Sequence, residues 1–239
     1  MMSQGSNADI VENPDKSGAT PLLVAAVFDV DRTLVPVTTT ERIFIRYLAK
    51  RGVLRWQALW RTGLLVLKSL PQRVSPFEAI RRERAYLAGQ PYNKMRRMAQ
   101  DCFDTGIKQR ISRAGVEAIK EHKAKGEMVV LLSGSLDFLL EPFKDYVGAD
   151  HLIAARMEVV NGRLTGRIVG DWPFGSYKAV LIRHFAEEHG LDFTRSYAYA
   201  DHHTDHEVLR LFGNPVVINA RTKMQEIARR EGWTMKDFS

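Results

Sequence analysis

Residues 22–33 read LLVAAVFDVDRT, a nearly unbroken apolar run that closes on Asp29 and Asp31. An apolar stretch without polar alternation is expected of a central parallel strand buried on both faces. Met128–Leu132, Tyr197–Ala200 and Val216–Ile218 are runs of the same kind. Helical patterns lie over 112–125, 176–189 and 205–212, each stopped by a glycine, Gly126, Gly190 or Gly213. Strands alternating with helices predict an α/β fold with a parallel sheet. Residues 157–168 differ, because Asn161-Gly162 separates two short alternating runs, and a hairpin at the sheet edge is expected there.

Between the first two strands lies an insertion that reads as helical throughout. Thr38–Glu41 and Ser75–Glu78 have the form of capping boxes, the second with Pro76 at the first helical position. Four helices are expected, at about 39–51, 54–70, 76–88 and 92–110. The expected organisation is a polar, disordered tail over 1–20, a core over 21–36 and 112–239, and a helical cap over 37–111. The net charge of +7 is unevenly placed: residues 41–113 hold 17 Lys/Arg against 5 Asp/Glu, so the rest of the chain is net acidic. A basic insertion attracts anions, although solvated helix faces carry the same composition. The single cysteine, Cys102, excludes an intrachain disulfide, and the polar N-terminal stretch has no apolar signal region; a cytoplasmic protein is expected.

Asp29 and Asp31 leave the C-terminal end of the first strand, where open α/β sheets place their ligands. Two buried carboxylates there would be costly without a cation. A strand end carrying DVDRT resembles the haloacid dehalogenase superfamily of phosphatases. Three further matches follow in order: Ser133 after MVVLL, Lys178 opening a helix after Gly175, and Asp201 and Asp205 after YAYA. The helical insertion and the stretch VNGRLTGRIVG resemble the phosphoserine-phosphatase-like branch, subfamily IB. The resemblance implies a Rossmann-like parallel-sheet core with a C1-type helical cap inserted after the first strand. It further implies hydrolysis of a phosphate monoester through an aspartyl-phosphate on Asp29, with Asp31 as general acid and base. Thr33, Ser133, Gly134 and Lys178 would hold the phosphate. Mg²⁺ would be bound by Asp29, Asp201 and the backbone carbonyl of Asp31, with Asp205 in support. The chemistry is coherent: a phosphate dianion repels a carboxylate nucleophile, and a hard cation that prefers oxygen ligands brings them together. A lysine in the first turn of a helix opposes the helix dipole, which makes sense opposite a bound anion.

Arg32 and the sequence Ala200-Asp201-His202 depart from the family pattern. The glutamate that phosphoserine phosphatases carry seven residues after the second aspartate falls here at Thr38, with Glu41 one helical turn further on. The expected substrate is a small phosphorylated molecule, with lipid phosphates among the candidates. A zinc site on His202 and His206 is a rival, less favoured metal reading. The rival class is a catalytically weak module whose basic cap holds RNA or an anionic membrane; Tyr47, Trp56, Trp60, Tyr86 and Tyr92 supply aromatics, yet every residue needed for turnover is present, and nucleic acid is not the expected partner. The segment from Val53 to Leu70 is interrupted by Arg55, Arg61 and Lys68, so it cannot span a bilayer, where ~20 mostly apolar residues are needed. Its composition also suits a peripheral membrane contact. The sequence does not specify an oligomeric state.

Overall fold

The computed structural model describes residues 22–54 and 83–239. The expected tail and the helices expected over 54–70 and 76–88, up to residue 82, lie outside the described residues, as does nearly all of the segment that suits a membrane surface.

The strands are β1 (Ala25–Phe28), β2 (Met128–Leu136), β3 (His151–Val160), β4 (Arg163–Val169), β5 (Tyr197–Ala200), β6 (Asn214–Ile218) and β7 (Thr234–Lys236). They form a seven-stranded sheet in the order β4-β3-β2-β1-β5-β6-β7. All pairs are parallel except β3 with β4. The apolar runs are continuous because both faces are covered. Ala26 and Phe28 of β1 with Val129 and Leu131 of β2 enter one core cluster, while Ala25, Val27, Val130 and Leu132 enter the other. Alternation of side chains across a strand produces this split. The first cluster also takes Ala118 and Ile119 from α3 (Arg113–Ala124) and Phe138, Leu139 and Phe143 from α4 (Asp137–Val147). The second takes Ala179, Ile182 and Phe185 from α5 (Tyr177–His189), Val208 and Leu209 from α6 (His206–Leu209), and Met224 and Ala228 from α7 (Thr222–Glu231).

The hairpin expected over 157–168 is present and longer, with Asn161 and Gly162 both in the left-handed region (φ 50° and 72°). A two-residue turn of this kind follows the right-handed strand twist. The insertion opens with α1 (Thr40–Lys50), which buries Phe44 and Leu48 one turn apart. Its N-cap is Thr39, whose hydroxyl accepts from the Arg42 amide, so the cap lies one residue later than expected and the box of Thr38 with Glu41 does not form, Glu41 turning instead to Arg84 and Tyr86.

Residues 83–91 are not the end of a helix. They hold a single 3-10 turn, Ala85–Leu87, and pair with β4 through bridges from Glu83 to Arg167 and from Pro91 to Arg163. The helix expected over 92–110 is α2 (Tyr92–Cys102), a π-turn (Phe103–Ile107) that contains Gly106, and a 3-10 turn (Lys108–Arg110). The helix expected over 205–212 shrinks to a 3-10 turn, His203–Asp205, followed by α6. The two ends of the insertion meet where the Ser112 amide donates to the Leu34 carbonyl at 2.9 Å. No helix among the described residues is long and apolar enough to cross a membrane.

Candidate active site

The chain runs from β1 outward to one side of the sheet and then, from β5, to the other, so β1 and β5 flank the point where the strand order reverses. Ligands of open α/β sheets bind outside the strand ends at such a point. Asp29 follows β1 and Asp201 follows β5, and the two ends are tied by the Asp29 amide donating to the Tyr199 carbonyl at 2.9 Å. Opposite them α5 begins, with Lys178 in its first turn.

Lys178 Nζ lies 2.6 Å from Asp29 Oδ1 and 3.1 Å from Asp205 Oδ1, and all three side chains are buried. Burial works against the Lys178 charge, but the Asp205 and Asp29 carboxylates outweigh it and hold the ammonium above its ordinary range. Burial pushes the Asp29 carboxyl upward, against the pull of Lys178. Thr33 Oγ1 donates to the second Asp29 oxygen at 3.0 Å, which fixes the carboxylate plane. Asp201 is raised to about 7 by burial and then by the Asp29 charge, with Arg32 opposing the shift.

Asp31 is held differently. Its Oδ1 accepts from the Thr40 amide at 2.6 Å and the Thr40 hydroxyl at 2.8 Å, and its Oδ2 accepts from Ser135 Oγ at 2.6 Å. The carboxylate therefore ties the N-terminus of α1 to the end of β2. Burial raises its pKa despite these bonds. Ser133, expected to follow the strand Met128–Leu132, lies wholly buried within the longer β2, and its Oγ accepts from the Ser135 amide at 3.2 Å. The Gly134 carbonyl accepts from Trp172 Nε1 at 3.2 Å, and a Cβ at this glycine would stand 3.1 Å from the Pro173 carbonyl oxygen. The absence of a side chain at position 134 is what lets the 171–175 loop close over the strand end.

These residues line one cavity of about 660 Å³. Asp29, Asp31, Ser133, Gly134, Lys178, Asp201 and Asp205 all face it; of the sequence-predicted set only Thr33 stands behind, bonded to Asp29. The far wall belongs to the insertion: Glu41 is ion-paired with Arg84 and accepts from Tyr86 Oη at 2.8 Å. Trp172 stacks on Phe174 with centroids 4.6 Å apart at the rim. Thr38 does not line the cavity, whereas Glu41 does.

Asp29, Asp201 and Asp205 each bring a carboxylate oxygen within 4.8 Å of the others, and among the described residues this is the group suited to a metal ion. Three buried oxygen donors fit a hard cation such as Mg²⁺. The histidines are engaged locally: His202 Nδ1 meets Thr204 Oγ1 at 2.9 Å and His206 Nδ1 meets the His203 carbonyl at 3.2 Å. Burial, with His203 and Arg32 nearby, pushes His202 down to about 4.

Sequence reasoning missed Ser135, Thr40, Arg84, Tyr86 and the aromatic loop. Ser135 had a signal, since it alternates with Ser133 on one strand; the others meet the site only through tertiary folding.

The chain matches the model of the haloacid dehalogenase-like hydrolase family over residues 26–210. It is 30% identical over 219 residues to the inhibition of morphological differentiation protein of Streptomyces azureus, covering 90% of this chain and 78% of that one. It is 28% identical over 230 residues to phosphoserine phosphatase SerB1 of Mycobacterium tuberculosis, covering 94% and 74%. A Bordetella pertussis protein described as of unknown function superposes with a TM-score of 0.77 at 25% identity, covering 91% of this chain and all of that one. With the four sequence motifs gathered at one strand-end cavity and the family model spanning most of its length, the chain belongs to the haloacid dehalogenase-like hydrolase family.

Proposed function

We propose that this phosphoric monoester hydrolase works through an aspartyl-phosphate on Asp29, with Mg²⁺ as its cofactor. The observation that carries the reading is the convergence of Asp29, Lys178, Asp201 and Asp205 on one cavity, with Asp31 on its insertion side. A carboxylate beside a buried ammonium and two further carboxylates is a poor structural device and a good phosphoryl-transfer site.

Lys178 and the Ser133-Gly134 segment hold the phosphate, and Thr33 orients the nucleophile. Asp29 attacks phosphorus; the P–O bond to the leaving group breaks, and Asp31 delivers a proton to the departing oxygen. Asp31 then takes a proton from the water that hydrolyses the acyl phosphate. The raised pKa of Asp31 suits the first of these duties, because it keeps a proton available nearer neutral pH. Asp29, Asp201 and the Asp31 backbone carbonyl, with Asp205 in support, would hold Mg²⁺, which would supply neutralisation of the phosphate charge.

Residues 37–111 act as the cap over the 21–36 and 112–239 core. The substrate is a small phosphomonoester. Glu41 is the cap carboxylate nearest to the role of holding a substrate ammonium, but Arg84 and Tyr86 already engage it, so phosphoserine is not the favoured substrate. Lipid phosphates remain among the substrates to try, and a cytoplasmic setting fits a small soluble substrate.

A screen with Mg²⁺ over phospho-amino acids, sugar phosphates, phospho-alcohols and lysophospholipid phosphates tests this. Hydrolysis that stops with EDTA and leaves acid-stable label on Asp29 supports it; no hydrolysis of any ester, or label elsewhere, overturns it.

A further inference from the structure

Arg32 is the one charged residue of the DVDRT turn that the mechanism above leaves without a task. Its backbone sits at φ 68°, in the left-handed region that favours glycine. Two bonds hold it there: its amide donates to the Val35 carbonyl at 3.0 Å, and Asn219 Nδ2 donates to its carbonyl at 3.1 Å. Asn219 is anchored in turn by the Phe238 amide, which donates to its Oδ1 at 2.8 Å. This conformation aims the side chain into the cavity.

There Arg32 Nε lies 3.7 Å from Asp201 Oδ2, an ion pair too long for a hydrogen bond. The same Nε is buried and has no hydrogen-bond acceptor. Lys178 pairs with Asp29 and Asp205, which leaves Arg32 as the cation beside Asp201 among the described residues. Three carboxylates thus face two fixed cations, and one of those cations stands against the carboxylate that a metal needs.

We propose that Arg32 competes with the metal for Asp201, keeping metal affinity low in the free enzyme and coupling metal binding to phosphate binding. This rests on the magnesium-dependent reading above. With all three carboxylates ionised, the set carries one net negative charge, and a divalent cation turns it to one net positive. Arg32 opposes that step at close range, because its Nε and the Asp201 carboxylate are both buried while the rest of the Arg32 side chain reaches toward solvent. A phosphate dianion offsets the repulsion, so metal and phosphate each strengthen the other's binding, as linkage requires.

The test is isothermal titration of Mg²⁺ into the wild-type protein, Arg32→Gly and Arg32→Asn, without and with inorganic phosphate. Glycine and asparagine both accept the left-handed backbone, and thermal melts check that each variant folds. The expected result is Mg²⁺ binding about tenfold tighter in both variants without phosphate, with most of the wild-type enhancement by phosphate lost. Equal affinities and equal enhancement in all three proteins overturn the assignment of Arg32 and leave the metal site standing. If no protein binds Mg²⁺, the magnesium-dependent reading fails and this inference falls with it.

Discussion

Asp29 and Asp31 are separated by one residue and have opposite surroundings, and this difference assigns their expected failures. Asp29 lies beside the Lys178 ammonium, which works against the upward push of burial on its carboxyl, and both Asp29→Asn and Asp29→Ala are expected to abolish turnover because neither offers a comparable nucleophile. Steady-state rates decide this, and substantial activity in Asp29→Ala would remove the covalent step. Asp31 is wrapped in hydroxyl and amide donors, and Asp31→Asn is expected to retain phosphate binding while losing about 10²–10⁴-fold in rate. Rapid acid quench with an activated ester should then find accumulated phosphoenzyme. Asp201 makes a pH prediction. Its folded pKa, about 7, lies above that of an unfolded aspartate, near 3.9, so the stability it contributes to the metal-free protein is present at low pH and is lost as pH rises through about 7. The Asp201 contribution to metal-free melting temperature, read as wild type minus Asp201→Asn, should fall between pH 6 and pH 8, whereas His202, held low, works the other way in both proteins. Mg²⁺ should bind more weakly at pH 6 than at pH 8, and raise the melting temperature more at pH 8. A wild-type minus Asp201→Asn difference in melting temperature that rises over this range in EDTA would contradict the sign.

Among the elements, the strands and their ends were legible because burial on both faces leaves a compositional trace: Val27, Val130 and Leu132 face one core while Phe28, Val129 and Leu131 face the other. The motif residues were legible for a related reason, since Asp29, Ser133 and Asp201 each directly follow an apolar run. The insertion was less legible. A helical pattern over 76–88 and the 83–91 segment on β4 share the same short-range signals, and only the partner strand distinguishes them. Asp137–Val147 went unread because Pro142 lies inside it, and its Gly148 stop, at φ 71°, stood without a recognised start. Arg84 and Tyr86 leave no trace of their site role, because Glu41 lies far away in sequence. Gly213 was read as a helix stop, yet its tighter constraint is spatial: a Cβ there would sit 1.9 Å from the Thr194 carbonyl oxygen, while its amide donates to Phe193. Gly213→Ala must therefore shift backbone at the entry to β6. A loss of about 3 kcal/mol or more is expected, at the upper end of overpacking costs, and urea unfolding of the variant measures it.

At the scale of the whole molecule, the basic excess lies in the insertion, while the clustered carboxylates Asp29, Asp201 and Asp205 lie at the strand ends of the core. Among the described residues, cap and core meet where Asp31 holds Thr40, where Ser112 bonds Leu34, where Phe44 and Tyr92 pack edge-on against Phe138, and along β4, where the Arg84 and Gly89 amides donate to the Gly166 and Leu164 carbonyls. Asp29, the proposed nucleophile, follows the first strand in the chain, yet that strand is central in the sheet, flanked by β2 and β5. What is early in the chain is thus innermost in the fold, which makes the protein a candidate for split-enzyme complementation. A piece comprising residues 1–60 would contain Asp29, Asp31 and α1 but no sheet to join, and a piece comprising residues 75–239 would contain Lys178, Asp201 and Asp205 around an empty strand slot. Neither alone can turn over an ester. Co-expressed, they are expected to reassemble into one active particle, because inserting β1 restores two parallel ladders and both apolar faces together. Co-purification with phosphatase activity would show that the covalent link across residues 61–74 is dispensable, whereas two inactive, separately eluting pieces would show that β1 needs that link to find its slot.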